Sequence, residues 1–151
     1  MKLRFRPDET GQAGAEILFF AFVVLLSMTL VVANAWAVID AKFMVTAAAR
    51  EGTRTYVKAA NADEALAGAL GAVDASIERE GGRLNRRIPT NVVGQFGRCE
   101  RVVVTVAYKI PSVRVPVLGY TFGTRRVSAT HSEVVDPYRS GLDGEVGGEC
   151  V

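Results

Sequence analysis

The sequence predicts an α+β fold in which one N-terminal transmembrane helix, extended as a stalk, leads to a second helix packed on a small antiparallel sheet. Three observations carry that prediction: an apolar run over 17–39, a capped helical pattern from Asn61 to Gly82, and β-branched runs beyond residue 100. A chain of 151 residues suits one domain besides the span. The expected organisation is a leader over 1–11, a membrane helix and stalk over 12–60, an extracytoplasmic α+β domain over 61–138 and a flexible tail over 139–151.

The run ILFFAFVVLLSMTLVVANAWAVI is interrupted only by Ser27, Thr29 and Asn34, and meets no ionisable group before Asp40. As a helix it is about 34 Å long, enough to cross a hydrocarbon core of about 30 Å. A soluble core helix of this length needs apolar cover on all sides, more than the remaining chain can supply. Trp36 fits an interfacial belt. Lys2, Arg4 and Arg6 precede the run while Lys42, Arg50, Arg54 and Lys58 follow it, so charge alone leaves orientation open. Signal peptidase offers a rival, since Ala33-Asn34-Ala35 and Ala35-Trp36-Ala37 both present small residues at the required spacing. The run exceeds the usual apolar stretch of a signal, and the leader contains acids.

Past Asp40 nothing stops a helix before about Lys58, because no proline intervenes. A second helix begins at Asn61 as N-cap, with Asp63 in its first turn and Glu64 placed to bond back to the cap. Leu66, Leu70, Val73 and Ile77 fall on one face, and Gly81-Gly82 ends the helix. Strands are expected over 101–110, 113–120 and 125–135. The last lacks a cleanly apolar face and suits an edge or a subunit contact. With so small a sheet, the stalk is expected to complete the core.

Composition excludes several functions. A net charge of +2, from 18 Lys/Arg against 16 Asp/Glu, argues against phosphate-driven nucleic-acid binding. Cys99, His131 and Cys150 are too few for a structural zinc site, and no metal or other cofactor is expected. His131 has no base, orienter and oxyanion arrangement around it in the sequence, so neither catalysis nor a small-molecule substrate is expected. Arg86-Arg87 and Arg125-Arg126 read as solvated charge, contact with an anionic surface being the lesser alternative.

Glu16 stands at the lip of the apolar run, where a carboxylate costs up to about 3 kcal/mol if drawn to the bilayer centre. Gly11 lies five positions before it. A short basic-headed leader, this glycine-to-glutamate spacing and the apolar helix together resemble the processing site of type IV prepilins. That resemblance implies cleavage by a prepilin peptidase after Gly11, on the cytoplasmic side, with Gln12 as the new N-terminus. A freed α-ammonium in an apolar helix bundle needs a counter-charge, and Glu16 of a neighbouring subunit can supply it.

The likeness extends further. Ala47-Ala48-Ala49-Arg50-Glu51-Gly52-Thr53-Arg54 resembles the AAREGAR-type segment of TadE-like minor pseudopilins of tight-adherence (Flp) pilus systems. Gly11-Gln12-Ala13-Gly14-Ala15-Glu16 resembles their GQAAVE-type start, with Gly14 and Ile17 as departures. The strand over 102–106 followed by Pro116, Leu118 and Gly119 is similar to their general pattern, so most of residues 10–136 is covered.

The resemblance implies a pilin-like subunit of the cytoplasmic membrane, N-terminus cytoplasmic and C-terminal domain extracytoplasmic. Its implied partners are the membrane, the prepilin peptidase, the major Flp pilin, a sister pseudopilin and the inner-membrane assembly platform with its ATPase. In that topology Cys99 and Cys150 both lie outside the cytoplasm, where oxidation is allowed. A bridge between them is expected, two free thiols being the alternative. The other functional readings are a secreted binding domain released near Ala35 or Ala37, and an uncleaved membrane-anchored envelope protein.

Overall fold

The computed structural model describes residues 10–115, 118–140, 142 and 150, with residues 10–13 described as backbone alone. Residues 1–9 of the expected leader (1–11), residues 116 and 117, and residues 141, 143–149 and 151 of the expected tail lie outside the described residues.

Helix α1 (Thr10–Lys58) runs unbroken for 49 residues, about 73 Å. Its two halves differ in what surrounds them. Through the apolar run the side chains are largely bare, whereas Ala41, Met44, Val45, Ala48, Ala49, Thr53 and Tyr56 are buried at helical spacing on one face. The stalk half is therefore a core helix, as the small size of the sheet requires.

Helix α2 (Ala62–Arg79) starts where Asn61 Oδ1 accepts the Glu64 N–H at 2.9 Å. The Glu64 carboxylate reaches the Ala60 N–H at 3.3 Å, one residue short of the cap itself. At the other end Gly81 takes φ +74°, Gly81 N–H bonds Glu78 O and Gly82 N–H bonds Ile77 O. This left-handed closure satisfies the last carbonyls and favours glycine. The buried face of α2 is Ala65, Ala69, Val73, Ser76 and Ile77, with Leu66 exposed. The expected Leu66-to-Ile77 stripe is thus rotated toward the alanines. The reason is α1: its Ala48, Ala49 and Gly52 admit close approach only of small side chains. A Cβ on Gly52 would lie 2.6 Å from Val73 Cγ2.

Three strands, β1 (Arg87–Val93), β2 (Arg101–Arg114) and β3 (Thr121–Val134), form an antiparallel meander in the order β1-β2-β3. Two strand expectations need correction. The segment 87–93 is a strand that the sequence expectation lacks, because Pro89 and the paired arginines hide it. The pairing with β2 shifts register between Ile88 and Asn91, and a proline is tolerated at such an irregularity on an edge strand. The segment 113–120 is not a separate strand. Its first residues continue β2 to Arg114, and a turn with Val115 N–H bonded to Tyr120 O leads into β3. Pro111 fits because β1 ends opposite Tyr108, leaving that side of β2 unpaired.

Val102, Val104, Val106, Tyr108 and Ile110 of β2, with Val127 and Ala129 of β3, share one core with α1 and α2. Three contacts fix how α1 lies along the sheet. The Thr53 hydroxyl lies 3.5 Å from His131 O, Lys42 Nζ donates to Ser128 O, and Asn34 forms two bonds with the Arg114 backbone. From Thr53 back to Asn34 the helix descends about 28 Å. From Val104, paired with His131, to Arg114 the strand covers about 33 Å, so helix and hairpin run side by side over this whole length.

Candidate functional site

The functional surface begins with the apolar half of α1. Ile17, Leu18, Phe19 and Phe20 are each about 70% exposed, as are Trp36 and Phe43, so the helix presents apolar atoms around its whole girth. The hydroxyls of Ser27 and Thr29 are satisfied within the helix, donating to Val23 O and Leu25 O, and Asn34 donates one amide hydrogen to Leu30 O, each at 2.8 Å. That internal closure is what a hydrocarbon environment demands. This is one helix long and apolar enough to cross a membrane.

Glu16 sits on α1 immediately before this run, exposed. Gly11 and Gln12 belong to the same helix, as backbone. The sequence-predicted site residues therefore divide into two groups. Gly11, Gln12 and Glu16 lie at the free end of α1, whereas Cys99 and Cys150 lie at the far end of the sheet.

There the two cysteines are bonded, with Cα atoms 5.0 Å apart, closing 51 residues of separation. Around them is a cluster that sequence reasoning did not foresee. The Arg139 guanidinium donates to Val57 O, Lys58 O and Ala59 O, carbonyls at and just beyond the end of α1. A cation at a helix C-terminus is favoured by both the unpaired carbonyls and the macrodipole. Arg139 also lies over the Phe96 ring, whose centroid is 5.8 Å from that of Tyr56 in an edge-on pair. Arg98 binds the Arg139 carbonyl through Nε and Nη2. The expected tail thus opens with a structural residue.

Burial pushes the Tyr56 phenol above its ordinary value of 10.0. Between that value and the higher folded one, the unfolded chain has given up a proton that the folded chain retains. Stability is accordingly full below about pH 10 and falls as pH rises through the window. Thermal melts from about pH 9 to about pH 11 should show a steeper loss for the native chain than for Tyr56→Phe.

His131 lies on β3 with Nε2 3.4 Å from Glu133 Oε1, both partly exposed. Among the described residues no group of three His, Cys, Asp or Glu side chains could hold a metal ion. Arg86, Arg125 and Arg126 are exposed, as expected, but Arg87 is not simply solvated. It pairs with Asp74 of α2, Nε to Oδ1 at 2.6 Å, and donates to Thr90 Oγ1 at 3.1 Å. That pair clips α2 to β1.

The other unforeseen residue is Asn34. Its side-chain amide behaves as a strand backbone, donating to Arg114 O at 3.0 Å and accepting from Arg114 N–H at 2.6 Å. In sequence it is merely a polar interruption of the run; only its partner, 80 positions away, gives it a role. No family model, curated protein or solved structure matches this chain.

Proposed function

We propose that this chain is a minor pseudopilin of the TadE-like kind, inserted in the cytoplasmic membrane and supporting assembly of a tight-adherence pilus. The observation that carries the reading is the juxtaposition of Gly11 and Glu16, five residues apart, with a bare apolar helix that continues without a break into the core of an α+β domain. In this reading α1 joins a helical bundle and Glu16 sets its axial register by pairing with the freed α-ammonium of a neighbour. The AAREGTR segment supports it in physical terms. Its Ala48, Ala49, Gly52 and Thr53 face the core while Arg50, Glu51 and Arg54 stay outside, so one motif seats the domain on the helix and leaves charges for neighbours. The function needs packing and charge pairing, and no reaction by the chain itself.

Protein from the native envelope should begin at Gln12 by N-terminal sequencing and intact mass. A start at Trp36 or Val38 would indicate release by signal peptidase and overturn the proposal, and an intact Met1 would leave a membrane-anchored envelope protein. For the carboxylate, Glu16→Ala is expected to leave membrane insertion intact and to abolish piliation and crosslinking to the major pilin. Unchanged piliation would reject the register role.

A further inference from the structure

We propose that the end of the β2–β3 hairpin is a second membrane contact, seated in the headgroup layer of the leaflet from which α1 emerges and recognising anionic lipid. The inference rests on α1 spanning a bilayer, and goes beyond it by placing part of the outer domain in the lipid.

Depth is the first argument. The Asn34 pair holds the Arg114 backbone against α1 at a point six residues before Asp40, the first ionisable group after the run. Six residues of helix are about 9 Å, slightly more than the thickness of one headgroup layer. With Asp40 at the water boundary, the hairpin end lies at the edge of the hydrocarbon. The stretch clear of the hairpin, 17–33, is about 26 Å long, at the lower limit for a span, and crosses a bilayer that thins by a few Å around it.

Side-chain chemistry at that level is the second argument. Leu118, Tyr120 and Phe122 are 66%, 63% and 59% exposed, with Val113 beside Phe122 across the strands. An aromatic residue carrying a hydroxyl, flanked by apolar groups, is the composition of interfacial belts. On a water-facing surface the same residues would form an apolar patch without cover.

Charge is the third. Between Glu100 and Glu133 there is no acidic residue, whereas Arg101, Lys109, Arg114, Arg125 and Arg126 all lie in that interval. The last four belong to the hairpin half nearest the span, Lys109 facing Arg126 in register, and all four are exposed. Such a collar above an apolar tip attracts anionic headgroups, each cation adding favourable energy near the surface. Long cationic side chains at this depth also reach outward to the phosphates while their stems stay in the apolar layer.

The test uses the full chain in phosphatidylcholine vesicles with and without phosphatidylglycerol. Trp36 is the sole tryptophan and reports the span. Tyr120→Trp and, separately, Phe122→Trp are placed in a Trp36→Phe background, with Leu66→Trp as a reporter on exposed α2. Lipids spin-labelled near the headgroup should quench the hairpin reporters about twofold, more strongly with phosphatidylglycerol present, and leave the Leu66 site unaffected. Hairpin reporters as open to iodide as the Leu66 site, beside a lipid-quenched Trp36, would overturn this inference alone. An unquenched Trp36 would overturn the membrane reading and this inference with it. Protection from iodide without lipid quenching, rising with protein-to-lipid ratio, would assign the patch to a neighbouring subunit and also overturn it.

Discussion

Gly52→Val should cost the α+β domain about 3 kcal/mol and lower its melting temperature by about 15 °C. The added Cβ meets Val73 Cγ2 at 2.6 Å, Ala69 O at 3.4 Å and Val104 Cγ1 at 3.5 Å, and the two further methyl groups have nowhere to go. Neither neighbour can yield easily, since Val73 and Val104 are both fully buried where α1, α2 and the sheet meet. Gly52→Ala is the informative comparison. It regains about 1 kcal/mol of helix propensity against the same first clash, so its net effect is smaller. Combining Gly52→Ala with Val73→Ala should recover part of the loss, because the second change empties the space that the first fills. All four tyrosines lie beyond the span, so near-UV circular dichroism at the tyrosine wavelengths, read in a Trp36→Phe background in detergent, follows the α+β domain; a melt of Gly52→Val within a few degrees of native would contradict this packing.

Removing the disulfide is expected to be as severe. Cys99 and Cys150 close a loop of 51 residues, which on the chain-entropy account restricts the unfolded chain by about 4 kcal/mol. For a domain of this size that is about 20 °C in melting temperature. The helical side of the core is largely alanine, which buries little area per residue, so a covalent constraint carries unusual weight here. Cys99→Ser with Cys150→Ser should melt where the native chain does under reducing conditions. A double variant that melts with the oxidised native chain would show the bridge to be dispensable.

How far these features were legible in the sequence depended on how local their causes are. The α1 boundary at Lys58 and the Asn61 and Gly81-Gly82 ends of α2 follow from capping and the absence of proline, and could be read directly. The core half of the stalk was legible only indirectly, from a sheet too small to stand alone. On α2 the large apolar Leu66 and Leu70 dominate the sequence pattern over Ala65 and Ala69, yet what faces α1 is decided by how little room Gly52 and its neighbours leave. Strand β1 escaped because its irregular pairing spoils alternation, and Pro111–Arg114 because a proline inside a strand is acceptable only once the neighbouring strand is known to have ended. For the site, the Gly11-to-Glu16 spacing is a signal carried by the sequence itself, and Glu16 is exposed. Asn34 and Arg139 are the reverse: their roles come from partners about 80 positions distant.

The three attachments of α1 to the hairpin, at Thr53, Lys42 and Asn34, also bear on mechanics. They lie along nearly the whole length that helix and strands share, so a pull on α1 along its axis is delivered parallel to β2 and β3. Hydrogen bonds between antiparallel strands lie perpendicular to that direction and are then strained together rather than opened one after another. Resistance to extraction becomes a property of the whole ladder. A chain drawn lengthwise from a bilayer would carry its α+β domain along intact, whereas a force prising the hairpin outward meets only the Asn34 pair first.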